Sequence, residues 1–188
     1  MPSVMRKSSP QKQVSGAEST LAIFASELGW MAAVFTGERL VRLSFGNRTR
    51  EKAEKAYADL ASKSSVSLSP NLERAVQRLQ AFAAGESDDL LDIDVDYGVV
   101  TPFQRRVLEG CRAIPPGETL SYGELAHIAG APGAARAVGN VMRTNKIPLV
   151  IPCHRVVGSG GALGGYSAPE GLKMKQRLLD REGAQLAK

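Results

Sequence analysis

Ile147-Pro148-Leu149-Val150-Ile151-Pro152-Cys153-His154-Arg155-Val156-Val157 leads into the glycine-rich run Gly158-Ser159-Gly160-Gly161-Ala162-Leu163-Gly164-Gly165-Tyr166, and the rest of the chain reads outward from it. Prolines at 148 and 152 exclude a helix interior, because proline lacks the amide proton and clashes with the preceding turn. The Leu, Val and Ile between them predict a buried extended segment. That segment carries Cys153 and His154 to the edge of the apolar core, at the floor of a pocket.

Upstream, Ser121-Tyr122-Gly123-Glu124 has capping-box spacing and starts a short helix that stops at Gly130. After Ala131-Pro132-Gly133 comes a second helix, Ala134 to about Thr144, so the pair resembles a helix-turn-helix. Residues 99–188 carry 12 Lys+Arg against 6 Asp+Glu, whereas residues 1–98 carry 12 against 13. The basic excess therefore sits with Cys153 and points to an anionic partner, nucleic acid first. The second helix has Ala134, Ala135, Ala137 and Gly139 where a major-groove reader needs long polar side chains, and only Arg136 and Arg143 are long and basic. Small residues let a helix backbone approach a shallow groove closely while one Arg enters the duplex, which suits a displaced base better than base-edge reading. Tight helix-on-helix packing uses the same residues.

Thr101-Pro102 caps a further helix with Phe103, Val107, Cys111 and Ile114 on its inner face, ended by Pro115-Pro116-Gly117. Cys111 on that stripe is a buried structural thiol. In residues 21–98, the runs Leu21–Phe24, Gly29–Phe35 and Leu40–Phe45 predict strands, the last two joined as a hairpin through Thr36-Gly37-Glu38-Arg39. A charged helix follows over Thr49–Ser62, with Ala53, Ala56, Tyr57 and Leu60 on one face. Ser69-Pro70 opens another, bearing Leu72, Val76, Leu79 and Phe82 and stopped by Gly85. Leu91, Ile93, Val95 and Tyr97 alternate with Asp92, Asp94 and Asp96, the pattern of a half-buried strand. A calcium loop starting at Asp92 would need Gly and Glu where Tyr97 and Phe103 stand. This unit shows no chemistry of its own.

Two Cys and two His make neither a disulfide framework nor a zinc site. The polar first 20 residues read as a disordered tail without a secretory apolar core, and no run is long enough to span a membrane. A reduced, cytoplasmic protein without metal is expected, associated with the nucleoid if bacterial.

Pro152-Cys153-His154-Arg155-Val156, with Arg136 in Ala135-Arg136-Ala137-Val138-Gly139, Asn145 after Met142-Arg143-Thr144, and Gly164-Gly165-Tyr166-Ser167 downstream, resembles the O6-alkylguanine-DNA alkyltransferases over residues 99–183. The resemblance implies an α+β protein: a tail (1–20), a small ribonuclease H-like α/β domain with an antiparallel sheet (21–98), and a mostly helical domain with a winged helix-turn-helix-like unit (99–188). It further implies a monomer that binds double-stranded DNA containing alkylated guanine, without cofactor. Such a protein flips the base and moves the O6-alkyl group, and that of O4-alkylthymine, irreversibly onto its own cysteine. Carried over by position, Cys153 is the acceptor, His154 the base acting through a water, and Glu182 the group that orients the His. Asn145 links the recognition helix to the cysteine segment, and Tyr122 donates to the guanine ring. Arg136 fills the gap in the stack, while Ala135, Ala137, Gly139 and Arg143 approach the DNA. Tyr166, Ser167, Val156, Gly164 and Lys175 form the substrate pocket.

Some members of that family bind zinc through Cys and His in the first domain, and residues 1–98 contain neither. Segment 167–171 varies in the family and leaves pocket width open. Three rival classes remain: a damage-recognition protein, against which Cys153 itself argues; a sequence-reading regulator, against which the small residues of the second helix argue; and a hydrolase pairing Cys153 with His127, which leaves the basic half unexplained.

Overall fold

Strands β1 (Ser19–Phe24), β2 (Trp30–Thr36) and β3 (Arg39–Asn47) form an antiparallel sheet in that order, where the apolar runs predicted them. The structure is a computed structural model and describes residues 19–58, 67–184 and 186. Expectations for residues 1–18 and 59–62, including Leu60, lie outside the described residues, while Ser19 and Thr20 belong to β1. Strand alternation sorts β2 onto two faces. Met31, Ala33 and Phe35 enter the main core, whereas Ala32 and Val34 pack with Ala53 and Tyr57 from helix α1 (Arg50–Lys55) and the residues just after it. In β3 the register slips by one residue at Val41 and again at Gly46, where φ is +74°. The second slip lies where the strand end meets Pro169 of the loop after β5. A Cβ on Gly46 would lie 3.4 Å from Pro169, so the bulge and that loop are in contact.

Helix α2 (Pro70–Ala84) is capped by Ser69, whose hydroxyl accepts from the Leu72 amide, and ends at Gly85 in the left-handed region. Helix α3 (Pro102–Arg112) starts with a full capping box between Thr101 and Gln104 and buries Val107, Leu108 and Cys111. Cys111 is fully buried, as the structural reading expected. The helix-turn-helix consists of α4 (Tyr122–Ile128), boxed by Ser121 and Glu124, and α5 (Ala135–Arg143). Strand β4 (Leu120–Ser121) pairs in parallel with β5 (Val156–Val157). This short ladder locks the start of α4 to the residues after Cys153. Helix α6 (Leu172–Arg181) closes the chain's fold and buries Met174, Lys175, Leu178 and Leu179. One contiguous apolar core runs from β1 through α6, and the mixed α+β architecture is the one expected. No described helix is long and apolar enough to cross a membrane.

Three expectations need correction. The charged helix expected over Thr49–Ser62 ends at Lys55, with Ala56 and Tyr57 in a turn. The alternating segment 91–97 is not a strand: it makes one isolated bridge, Val95 to Leu40, with Leu40 donating to the Asp94 carbonyl and Asp96 to the Leu40 carbonyl. Its neighbours turn away because the Asp88 and Asp89 side chains accept from the Leu90 and Leu91 amides and curl the backbone. The run between Pro148 and Pro152 is buried but not extended. Leu149 sits at φ +72°, Ile151 donates back to the Ile147 carbonyl, and Cys153–Arg155 forms one 3-10 turn.

Thr101→Ala removes the side-chain half of the α3 capping box and is expected to lower unfolding free energy by about 1 kcal/mol, read by urea denaturation.

Candidate active site

A cavity of about 1170 Å³ opens between β3, α4, α5 and the loop after β5, with Cys153 in its wall. From α4 come Tyr122 and Gly123, and from α5 Ala135, Arg136, Gly139, Met142 and Arg143. The far side is Tyr166, Ser167, Ala168 and Pro169. Arg42, Leu43, Ser44, Phe45 and Asn47 of β3, with Tyr57, form a further wall. No periodicity in residues 21–98 could have revealed this wall, because it arises only when β3 docks on the second half. The Leu43 amide donating to the Lys146 carbonyl at 2.9 Å is the bond that seats it there.

Asn145 staples the strained turn before the cysteine. Its side-chain amide donates to the Ile151 carbonyl at 2.8 Å, and its Oδ1 accepts from the Ile147 amide at 3.0 Å. Leu149 can hold a left-handed backbone because both ends of its turn are tied in this way. Cys153 follows, 9% exposed.

Behind it lies a buried chain of charges. Glu182, at the C-terminal end of α6, accepts from His154 Nε2 at 2.8 Å through Oε1. Arg155 clamps both carboxylate oxygens of Glu182, Nε to Oε2 and Nη2 to Oε1, each at 2.9 Å, and sends Nη1 to the Ile114 carbonyl. His154 and Arg155 are 0% and 1% exposed. Sequence reading gave Arg155 no role; its place beside His154 in a tight 3-10 turn is what aims both side chains at one carboxylate. Burial pushes the Glu182 carboxyl up, but the His154 and Arg155 hydrogen bonds and charges outweigh it and hold it at about 2. The carboxylate is then acceptor only, so Nε2 carries the proton and His154 Nδ1 presents a lone pair. Burial lowers the His154 pKa, against the opposing pull of Glu182, so the ring is a neutral base at pH 7. Burial also raises the Cys153 thiol, partly countered by Asn145 and by the charge of Lys175.

Tyr122 is pinched between two glycines. A Cβ on Gly164 would come within 3.0 Å of its hydroxyl oxygen and one on Gly139 within 3.9 Å of its ring. Val156, Gly164, Lys175 and Ala137 do not line the cavity. Lys175 is buried underneath, donating to the Val156 carbonyl at 2.6 Å and to the Leu163 carbonyl, and burial depresses its pKa to about 8. It thereby pins the glycine-rich loop to β5. His127 is exposed on α4 and lies outside the cavity, so the hydrolase pairing with Cys153 has no geometric basis. Among the described residues, no group of three His, Cys, Asp or Glu could hold a metal ion.

A crystal structure of Mycobacterium tuberculosis OGT in complex with DNA superimposes with a TM-score of 0.68 at 36% identity, covering 87% of this chain and 92% of that one. The chain belongs to the O6-methylguanine-DNA methyltransferase family. The crystal structure of the O6-methylguanine-DNA methyltransferase from the archaeon Pyrococcus kodakaraensis matches at a TM-score of 0.62 and 30% identity, over 88% of this chain and 99% of that one. The family model for the DNA binding domain of 6-O-methylguanine DNA methyltransferase matches residues 102–184. Among curated relatives, the methylated-DNA–protein-cysteine methyltransferase of Mycolicibacterium paratuberculosis is 51% identical over 108 residues, a stretch covering 57% of this chain and 63% of that relative. That of Salmonella typhimurium is 52% identical over 83 residues, 44% of this chain and 47% of its own length.

Because the Glu182 pKa is lowered from 4.5 to about 2 on folding, its contribution to stability is complete above about pH 4.5 and is lost as the pH falls toward 2. Glu182→Gln is expected to be about 3–5 kcal/mol less stable than wild type at pH 7, with the gap narrowing through that window in urea unfolding. A gap that stays constant down to pH 2 would mean the carboxylate is not the charged partner of Arg155.

Proposed function

We propose that the protein repairs double-stranded DNA by direct reversal, taking the alkyl group of O6-alkylguanine, and of O4-alkylthymine, onto Cys153 in a single irreversible turnover. The observation that carries this is one juxtaposition. Cys153 opens into a cavity bordered by the small-residue face of α5, and its neighbour His154 is a buried neutral base oriented by Glu182. The methyltransferase names of the curated relatives and the DNA complex of the mycobacterial neighbour support it.

In this reading α5 lies in the minor groove, where Ala135, Ala137 and Gly139 permit close approach and Arg143 meets a phosphate. Arg136 enters the stack in place of the extruded nucleotide. Extrusion costs on the order of a few kcal/mol, less for a poorly paired alkylated base, and the arginine and phosphate contacts offset it. The Cys153 proton passes through a water to His154 Nδ1, since a buried thiol above its ordinary pKa needs a base to become a nucleophile. The thiolate attacks the alkyl carbon, an S–C bond forms, and the C–O bond breaks with its electron pair going to the guanine oxygen. Charge spreading into the ring is met by the Tyr122 hydroxyl, which stabilises the transition state more than the ground state. Tyr166 and Ser167 hold the base. The reaction needs neither metal nor cofactor, and the protein acts as a monomer.

Intact mass after mixing with a short duplex containing O6-methylguanine is expected to rise by one methyl group, stoichiometric with protein and mapped to Cys153. Tight lesion binding with unchanged mass would instead mark a damage-recognition protein. Cys153→Ala should keep DNA binding and lose transfer entirely. Arg136→Ala should repair duplex DNA about 10-fold or more slowly, as loss of a few kcal/mol of flipping energy implies, while reacting almost normally with the free modified base. Equal loss on both substrates would remove Arg136 from base extrusion.

A further inference from the structure

Two buried side-chain atoms beside Cys153 have no hydrogen-bond partner among the described residues: His154 Nδ1 and the Tyr166 hydroxyl. A buried polar atom left unpaired costs about 1–3 kcal/mol, so two in one site call for a shared partner. Tyr166 lines the cavity together with Cys153, and its hydroxyl is buried. Its phenol is held well above its ordinary range by burial first, with smaller contributions from Cys153, Cys111 and Glu182. It is therefore an O–H donor throughout the working pH range. The imidazole edge, by contrast, is a lone pair, because Nε2 is committed to Glu182.

We propose that Tyr166 is a positioning residue of the proton relay: its hydroxyl and His154 Nδ1 together hold the single water that joins the Cys153 thiol to the histidine. The inference rests on the alkyl-transfer reading for its purpose, though not for its geometry. Before reaction the water oxygen accepts from the thiol S–H and from the Tyr166 O–H, and one water hydrogen donates to Nδ1. The thiol proton then moves to the water while the water's hydrogen moves to Nδ1. The result is a thiolate accepting from the water, with the water accepting from Nδ1–H and still from Tyr166. The phenol donates before and after, so it fixes the water and strengthens its donation to the thiolate. Other groups around Cys153 act by charge or by direct bonding: Asn145 from the stapled turn, Lys175 and Glu182 from α6 and its end, Arg155 from the 3-10 turn, and Tyr122 and Cys111 from α4 and α3. Tyr122 also carries a hydroxyl without a hydrogen bond among the described residues, but it is half-buried and open to water, whereas the Tyr166 hydroxyl is buried.

Tyr166→Phe deletes only the hydroxyl. The test is the rate of carboxamidomethylation of Cys153 by iodoacetamide against pH in the free protein, with peptide mapping to separate Cys111, alongside thermal melting. The relay predicts that the pH midpoint for Cys153 rises by about 0.5–1 unit, a threefold to tenfold slower reaction at neutral pH, and that the variant melts lower than wild type. A hydroxyl with no partner gives the opposite pair, an unchanged midpoint and an equal or higher melting temperature, since deleting an unsatisfied polar group relieves its desolvation; that result overturns the proposal. Wild-type protein that takes no methyl from DNA, together with a midpoint still shifted by Tyr166→Phe, would sink the repair reading and leave the relay standing.

Discussion

A single carboxylate holds the reactive end of this molecule together. Glu182 receives a histidine and both arms of an arginine in a space almost closed to water. Isolating a charge there would be costly, so the three groups are mutually required: the carboxylate offsets the buried guanidinium, and both donors keep the carboxylate ionised. The geometry follows from that requirement. His154 and Arg155 are adjacent in sequence, and the tight 3-10 turn lets both reach the one carboxylate, the histidine at Oε1 and the arginine at both oxygens. Cys153, one residue earlier, is thereby fixed in the cavity wall.

The turn is clamped from the other side as well. Asn145 ties the end of α5 to the segment before the cysteine, and the β4–β5 ladder ties the start of α4 to the segment after it. Both helices of the helix-turn-helix are thus referenced to the same three residues. A helix docked on a surface through α5 would bring that surface to a fixed distance from the thiol, which is how a binding motif and a chemical group become one device. Lys175 adds the last constraint from below, holding the glycine-rich loop down where Gly164 passes against Tyr122.

Local chemistry was the most legible part of the sequence. Ser69-Pro70, Thr101 with Gln104, and Ser121 with Glu124 announce their helices because the capping groups lie within one turn of the backbone amides they serve. The hairpin of β2 and β3 is equally local. Segment 147–157 misled because its aliphatic composition matches a strand, whereas its path is decided by Asn145 and a left-handed Leu149, neither of which leaves a periodic trace. Segment 91–97 misled for the converse reason: alternation was present, but aspartate turns left only Val95 able to pair. The residues alone placed Cys153 and His154 at the edge of the core, and the family resemblance supplied their roles as acceptor and base together with that of Glu182. Arg155 went unnoticed because a buried guanidinium looks the same in sequence as an exposed one.

The β3 face of the cavity also bears on how the chain can change. Leu43 and Phe45 are core residues and wall residues at once, nearly inaccessible yet bordering the space beside the thiol. A residue in that double position cannot be exchanged for fit on one side without being felt on the other. The two halves of the chain are therefore a matched pair: grafting the cysteine-bearing half onto a foreign first half would keep every group of the charge relay and leave a trench where there is now a slot.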